Sequence, residues 1–518
     1  MKSIEKNDKL ADENTLLKNR ITELEALVKY YEEQFKLAKH KQFGSSSEKS
    51  EYDLEQINLF DEAEATADKN ISEPELVEIE KHYRKRKRSA SDRLPPDLPV
   101  EVIEHELPSD GQVCAECGGV LHVMGHEVRR ELKIIPAQAK IVEHKQHIYS
   151  CRSCEKTNDH TPIVKAEMPE PVIKGSFASA ESVAHIMTQK FVMSVPLYRQ
   201  EQEWNRNGVM LSRQTMSNWV IRCAEDWLKP IYKRLKEELL KRDVLHGDET
   251  VVQVLHEPGK KAQSKSYMWM YRTSGDTDKH IVLYEYQPDR KWEHPEAFLK
   301  GFGGYLHADG YDGYHNLPAN ITVVGCWAHM RRKFDEAMKV LPEKDRENCG
   351  AMVGKRYCDK LFEVERKLAD VKPAERYEKR NELSKPITDE FFAWAENVNA
   401  LPKSLLGQSV QYAVNQRVYL ERYLLDGRLE ISNNRGERSI KPFVIGRKNW
   451  MFNNTVGGAK ASSIIYSIVE TAKENRLRPY EYLVFLFENI PNATTGKLGD
   501  FLPWSDKIPD SCRIPPKT

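Results

Sequence analysis

Three acidic side chains in contrasting settings are the residues of this chain best suited to chemistry: Asp248 in VLHGDETVVQVL, Asp309 in GYLHADGYDGYHNL and Glu437 in ISNNRGERSIKPF. Two stand beside apolar, β-rich runs, and the third follows helix-start residues. Carboxylates converging from such settings repel one another unless a cation intervenes. Their hard oxygens suit Mg²⁺ or Mn²⁺. Two such ions, about 3.5–4 Å apart, would activate an attacking oxygen and stabilise a leaving one in displacement at phosphorus. Phosphoryl transfer on a nucleic acid is the chemistry to expect, with Asp248, Asp309 and Glu437 as catalytic, magnesium-holding residues. A lone Asp after a strand is ordinarily a turn or helix cap, so the neighbours carry the reading. Gly310, Gly313 and several aromatic residues crowd Asp309, an arrangement that would let a phosphate backbone approach and unpaired bases stack. Asp312 is a fallback ligand, and Glu430 the runner-up to Glu437.

The elements that must bring these residues together follow from periodicity. Strand-like runs cover Val244 to Leu255, Tyr267 to Thr273, His280 to Tyr286, Tyr305 to Ala308 and Ile321 to Cys326, with a helix-like PEAFLKGF among them. Strands preceding helices indicate an α/β sheet. Adjacent pairing of the runs bearing Asp248 and Asp309 would set their carboxylates side by side on one edge. Ser432, Asn433 and Asn434 are good N-cap residues, so Glu437 is expected on a short helix ending near Pro442. Around it Arg435, Arg438, Lys441, Arg447 and Lys448, with Trp450 and Phe452, form a basic, aromatic surface suited to a DNA strand; a solvated charged helix is the plainer alternative. Arg331, Arg332 and Lys333 extend that basic set. The 127 residues between Asp309 and Glu437 exceed what a compact fold needs, and residues 335–415 read as a helical insertion. Upstream, three helices are expected in 177–229, with Pro196 at a start, Asn207-Gly208 at a stop and Ser212 as an N-cap. The spacing is that of a helix-turn-helix whose Arg213, Gln214, Ser217 and Asn218 would face base edges, or equally of an ordinary three-helix packing unit.

Cys114-Ala-Glu-Cys117 and Cys151-Arg-Ser-Cys154 offer two thiolate pairs suited to tetrahedral zinc, although the 33 residues between them exceed the usual spacing of about 15–20. Strand-like runs at Glu131 to Ile135 and Lys140 to Tyr149 would close a β-hairpin between the two knuckles. Apolar residues recur at Leu10, Leu17, Leu24 and Tyr31, with Ile21, Val28 and Phe35 four residues beyond, and Asn14 is a polar a position on the same seam. That seam reads as a homo-oligomeric coiled coil over residues 1–42, the alternative being an amphipathic helix packed on its own domain. Residues 43–93 form a charge-blocked linker: eleven Asp or Glu against one Lys in 51–80, then six Lys or Arg among the eight positions of 81–88. The basic block either touches phosphate or neutralises the acidic one.

Composition limits the rest. A chain of 518 residues implies roughly three or four domains. With 31% charged residues, a mean hydropathy of −0.66 and no apolar run of about 18 residues, a membrane span is not expected. MKSIEKNDKL lacks a signal-peptide core, and nine cysteines in this pattern suit a reducing compartment, so a cytoplasmic protein is expected. Formal charge is zero, so nucleic-acid contact must come from local segregation of charge.

Several stretches occur in the order seen in a known family: FGSSSEKS, LPPDLP, the four-cysteine segment, PLYRQEQEW, HGDET, HADGYDGY, CWAHMRRKF and NNRGERSIKPFVIGRKNWMF. On these motifs, covering most of its length, the chain resembles the bacterial insertion-sequence-66 family of transposases. The resemblance implies a multidomain protein with an α/β, RNase H-like catalytic domain carrying an Asp-Asp-Glu triad, transferred here to Asp248, Asp309 and Glu437. It implies hydrolysis at transposon ends to free a 3′ hydroxyl, then attack of that hydroxyl on target DNA, with two Mg²⁺ or Mn²⁺ ions and no covalent intermediate. Small accessory proteins of the same element are implied as partners. Cys326-Trp-Ala-His329 resembles a Cys-x-x-His element found between the second Asp and the Glu in several transposase groups, and implies a brace for the site; a second zinc site there would need two more ligands, and His329 on phosphate is the other use. Two other readings stay open: a non-catalytic zinc-containing DNA-binding regulator, and a nuclease of the same fold that cuts without joining.

Overall fold

The computed structural model describes residues 102, 139–150, 163–493 and 497–515. The expected coiled-coil seam, the charged linker and the ligands Cys114, Cys117, Cys151 and Cys154 lie outside the described residues. In the segment before residue 169, β1 (Ile148–Ser150) pairs antiparallel with β2 (Ile163–Lys165), in the register Ile148↔Lys165 and Ser150↔Ile163. The strand expected over Lys140 to Tyr149 is thus confined to its last residues, and its partner follows the second cysteine pair.

From residue 169 onward the chain opens with helices. Ser179 caps α1 (Ala180–Phe191) in a reciprocal capping box with Ser182. Pro196 precedes α2 (Leu197–Arg206), and Ser212 caps α3 (Arg213–Cys223) by accepting from Thr215 N. A π-helical turn at Ala224–Leu228 leads into α4 (Lys229–Leu239). These boundaries match the start and stop residues read from the sequence.

The sheet follows: β3 (Val244–His256), β4 (Lys265–Thr273), β5 (Val282–Gln287), the short helix α5 (Glu293–Phe298), β6 (Gly304–His307), α6 (Asp312–His315) and β7 (Ile321–Val324). Spatial order is β5-β4-β3-β6-β7, with β3, β4 and β5 antiparallel and β3, β6 and β7 parallel. Beyond it come α7 (Trp327–Lys339), which runs into the stretch 335–415 read as a helical insertion, and then α8 (Glu343–Arg346), α9 (Gly350–Lys367), α10 (Pro373–Asn397) and α11 (Leu405–Glu421). The chain returns through α12 (Asn434–Trp450), β8 (Asn453–Thr455), which pairs with the far end of β3, α13 (Val456–Glu474) and α14 (Pro479–Asn489).

Two apolar clusters hold this body together. One joins α1, α3 and α4 to the sheet, α13 and α14, and includes fully buried Trp269, Tyr271 and Tyr284; burial of each large side chain contributes about 1.5–3 kcal/mol. Beyond α14, Phe501, Leu502, Ile508 and Cys512 join the same cluster. The other packs Trp327, Met330 and Phe334 of α7 against Cys358, Phe391, Phe392 and Ala413 of the insertion, and reaches the sheet at Val244 and Val324. Edge strand β5 would leave backbone groups unpaired. Helix α13 supplies partners: Ser467 Oγ accepts from Tyr284 N at 2.7 Å, and Thr471 Oγ1 accepts from Val282 N at 3.0 Å while donating to Val282 O at 2.9 Å.

Helix α12 departs from expectation, because it continues through Pro442 to Trp450. A proline inside a helix costs about 3 kcal/mol. Burial of Ile440, Phe443 and Gly446 on the sheet side offsets that cost and keeps the helix whole.

Candidate active site

Parallel pairing sets the first two carboxylates. Register between β3 and β6 runs Val244↔Tyr305, Leu245↔Leu306, His246↔His307. Continued by two residues, it brings Asp248 opposite Asp309, where β6 gives way to a loop. Asp309 Oδ1 accepts from Tyr311 N at 3.0 Å, turning the chain into α6, and Asp248 Oδ1 accepts from Glu249 N at 2.8 Å. Burial, Glu249 and Asp309 push the Asp248 carboxyl well above the usual carboxylate range, and Glu437 adds to the effect. Like charges therefore meet at Asp248, as expected of a site that holds a cation.

Glu437 sits in the first turn of α12. Its Oε2 takes a 3.2 Å hydrogen bond from Arg332, and its Oε1 lies 3.4 Å from His329 Nε2, both on α7. Cys326 Sγ, a His329 ring nitrogen and a Glu437 oxygen all fall within 4.8 Å of one another. Burial works against a charge on His329, yet Cys326 and Glu437 beside it outweigh that and raise its pKa to about 9. The Cys-x-x-His element thus braces the glutamate, with imidazolium and guanidinium compensating its charge. Glu430 is engaged elsewhere: Arg435 Nε donates to it at 2.7 Å, and its backbone N donates to His307 Nε2 at 3.2 Å.

Several residues at the site carried no signal of their own in the sequence. Glu249 lies next to Asp248 with its side chain 1% exposed; Tyr314 Oη donates to it at 2.7 Å and Arg290 Nε at 2.8 Å. Burial, and then Asp309, raise its pKa despite Arg290. Gly310 and Gly313 were expected to make room for a phosphate. The space is taken instead by the protein's own rings: a Cβ on Gly310 would stand 2.5 Å from the Tyr412 hydroxyl, and one on Gly313 would strike the Tyr311 ring. Tyr412 comes from α11, so the insertion reaches the site. Asp312 is exposed and pairs with His315 at 3.7 Å.

The basic residues divide. Arg213, Gln214 and Asn218 are exposed on one face of α3 with Ser217 half-buried between them, and Arg213 lies over the Tyr198 ring. Arg438 and Lys448 are exposed on α12, and Lys441 is half-buried there. Others are committed within the protein. Arg331 Nε donates to Asp359 at 2.6 Å, Lys333 lies 4.5 Å from the Tyr412 ring centroid, and Arg435 holds Glu430. Arg447 donates to Thr250 Oγ1 at 3.1 Å and to the Val251 carbonyl, and Trp450 packs edge-on against Phe443. Their contacts place Arg331, Arg447 and Trp450 in the scaffold rather than on a free DNA-facing surface.

Among the described residues no helix is long and apolar enough to cross a membrane. Residues 175–461 match the family described as Transposase IS66 family. Residues 112–155, which span all four cysteines of the two pairs, match the zinc-finger binding domain of transposase IS66. Residues 30–103 match Transposase C of IS166 homeodomain, and 467–504 the IS66 C-terminal element. Two proteins of Sinorhizobium fredii are each 29% identical to this chain. Similarity to Uncharacterized protein y4hP extends over 443 residues, 82% of this chain and 78% of that protein. Similarity to Uncharacterized protein y4qI extends over 429 residues, 79% and 76%.

Proposed function

The chain belongs to the transposase IS66 family, and from that premise we propose that it cuts DNA at the ends of an insertion sequence and joins the freed 3′ hydroxyl to target DNA. The observation that carries the reading is the strand register that sets Asp248 beside Asp309, with Glu437 entering from α12 within the same electrostatic field. The mixed strand order, antiparallel on one side of β3 and parallel on the other, supports an RNase H-like core.

Asp248, Asp309 and Glu437 would hold divalent ions, and the raised Asp248 carboxyl, crowded by like charge, fits a site completed by cations. When bound, Mg²⁺ or Mn²⁺ supplies Lewis acidity and a lowered pKa for the attacking water or hydroxyl. The protein's own groups do the rest. His329 and Arg332 orient Glu437. Exposed Arg438 and Lys448 bind phosphates along α12. Glu437 is assigned over Glu430 because it is the one of the two whose charge adds to the raising of the Asp248 carboxyl. Zinc in the four-cysteine module is structural, α3 reads DNA through Arg213, Gln214, Ser217 and Asn218, and the N-terminal seam makes a homo-oligomer. Small accessory proteins of the element and a cytoplasmic setting complete the proposal.

The test is cleavage of supercoiled donor DNA carrying element ends, with and without magnesium. Asp248→Asn and Asp309→Asn should lower nicking by more than about 100-fold with end binding intact. Glu437→Gln should match them and Glu430→Gln should not. A wild-type protein that binds ends yet never nicks in magnesium would be a regulator instead. Nicking without joining in a labelled strand-transfer assay would mark a nuclease.

A further inference from the structure

Asn433 stands at the N-cap of α12, where an asparagine side chain ordinarily accepts a hydrogen bond from its own helix. It makes no such bond. Only 1% exposed, it turns toward the sheet: Nδ2 donates to the Gly247 carbonyl at 2.8 Å, and Oδ1 lies 2.8 Å from His246 Nδ1. His246 Nε2 in turn meets Ser274 Oγ at 3.2 Å, which matches an imidazole donating through Nδ1 and accepting through Nε2. The Asn433 backbone N donates to Cys326 Sγ at 3.1 Å, and its carbonyl accepts from Glu437 N at 3.0 Å. Gly436 reserves the space, since a Cβ there would stand 2.7 Å from Asn433 Oδ1.

We propose that Asn433 is the positioning residue that sets Asp248 and Glu437 at the separation their shared ions require. This rests on the triad reading given above. The side chain and the backbone N–H and C=O of this one residue tie together the strand residue before Asp248, the start of the helix bearing His329 and the first turn of the helix bearing Glu437. The bond to Gly247 is made one residue past the last observed β3–β6 pair, so it takes over support on the β6 side of the strand while β4 continues to pair with Asp248 on the other. Loss of the amide leaves the Gly247 carbonyl without its partner and loosens the tie that holds α12 against β3. Magnesium demands near-ideal octahedral geometry, and a ligand displaced by about 1 Å costs on the order of 100-fold in rate.

The experiment compares wild type, Asn433→Ala, Asn433→Asp and Asp248→Asn as full chains, reading Mn²⁺ affinity by calorimetric titration, the Mg²⁺ half-saturation of nicking, end binding in EDTA and the urea midpoint. Asn433→Asp keeps the shape and the acceptor for His246 but puts an oxygen against the Gly247 carbonyl. Its added negative charge alone would tighten ion binding. The expected result is Mn²⁺ affinity and Mg²⁺ half-saturation weakened at least tenfold in both Asn433 variants, with end binding unchanged. Wild-type ion affinity and half-saturation in folded Asn433→Asp, or tighter binding in it, overturns the proposal. So does a loss of nicking that tracks only the folded fraction. Nicking retained by Asp248→Asn would instead remove the triad reading itself.

Discussion

Gly310 shows how a residue can be recognised as special and still be given the wrong neighbour. Glycine beside Asp309 signals close approach, but the group that approaches is Tyr412, about a hundred positions downstream. No local pattern connects the two. Gly310→Ala must displace the Tyr412 ring or the Asp309 turn, so nicking should fall about tenfold or more. In a Tyr412→Ala background the same change should cost less, and a double-mutant cycle should return a coupling of about 0.5–3 kcal/mol; strict additivity would show that the ring yields freely. That Asp248 and Asp309 would be brought together was legible because both belong to strand-like runs suited to adjacent pairing. Glu249, Arg290, Tyr314 and Asn433 were not, since their roles consist of partners 41 to 187 positions away in the chain, or of a burial that spacing does not report.

Elements were more readable than residues. Alternation and turn chemistry located the strands around both aspartates, and Ser212 and Pro196 marked helix starts that the fold keeps. Ser212→Ala should cost about 1 kcal/mol in chemical denaturation through loss of its bond to Thr215 N. Helix α12 was misjudged because Pro442 stops a helix only when nothing else holds it, and the buried face of α12 does. Protection of edge strand β5 was invisible for a related reason: Ser467 and Thr471 at an i, i+4 spacing look like a polar stripe until the strand they serve is beside them. Thr471→Val keeps the shape but leaves the buried Val282 N–H without its partner, so the urea midpoint should drop by an amount worth about 1–3 kcal/mol. An unchanged midpoint would mean that water replaces the hydroxyl there.

For the whole molecule, the helical insertion packs into the same body as the sheet rather than forming an appendage. Arg380 on α10, 1% exposed, pairs with Glu365 on α9 through two nitrogens at 2.8 and 2.6 Å and donates to the carbonyls of Tyr423, Asp426 and Leu429, just before Glu430 and α12. Arg380→Met should destabilise by about 3–5 kcal/mol, because a carboxylate and several carbonyls lose their donor together. Adding Glu365→Met should recover part of that loss; no recovery in the double variant would assign the cost to the carbonyls alone. At the other end of the chain, Cys114→Ser with Cys117→Ser should abolish bound zinc by metal analysis while the Asp248 site still takes Mn²⁺, since the two sites use different donor chemistry. By itself the sequence determined the family, the strands and helix starts of the body from residue 169 onward, and the juxtaposition of Asp248 with Asp309, because each of these is written in short-range spacing and residue type. Tertiary structure alone decided the neighbours of the third acid, the ring over Gly310, the asparagine that ties strand to helix, and which arginines are spent on the scaffold. Those depend on contacts between segments tens to nearly two hundred residues apart, and periodicity carries no information about them.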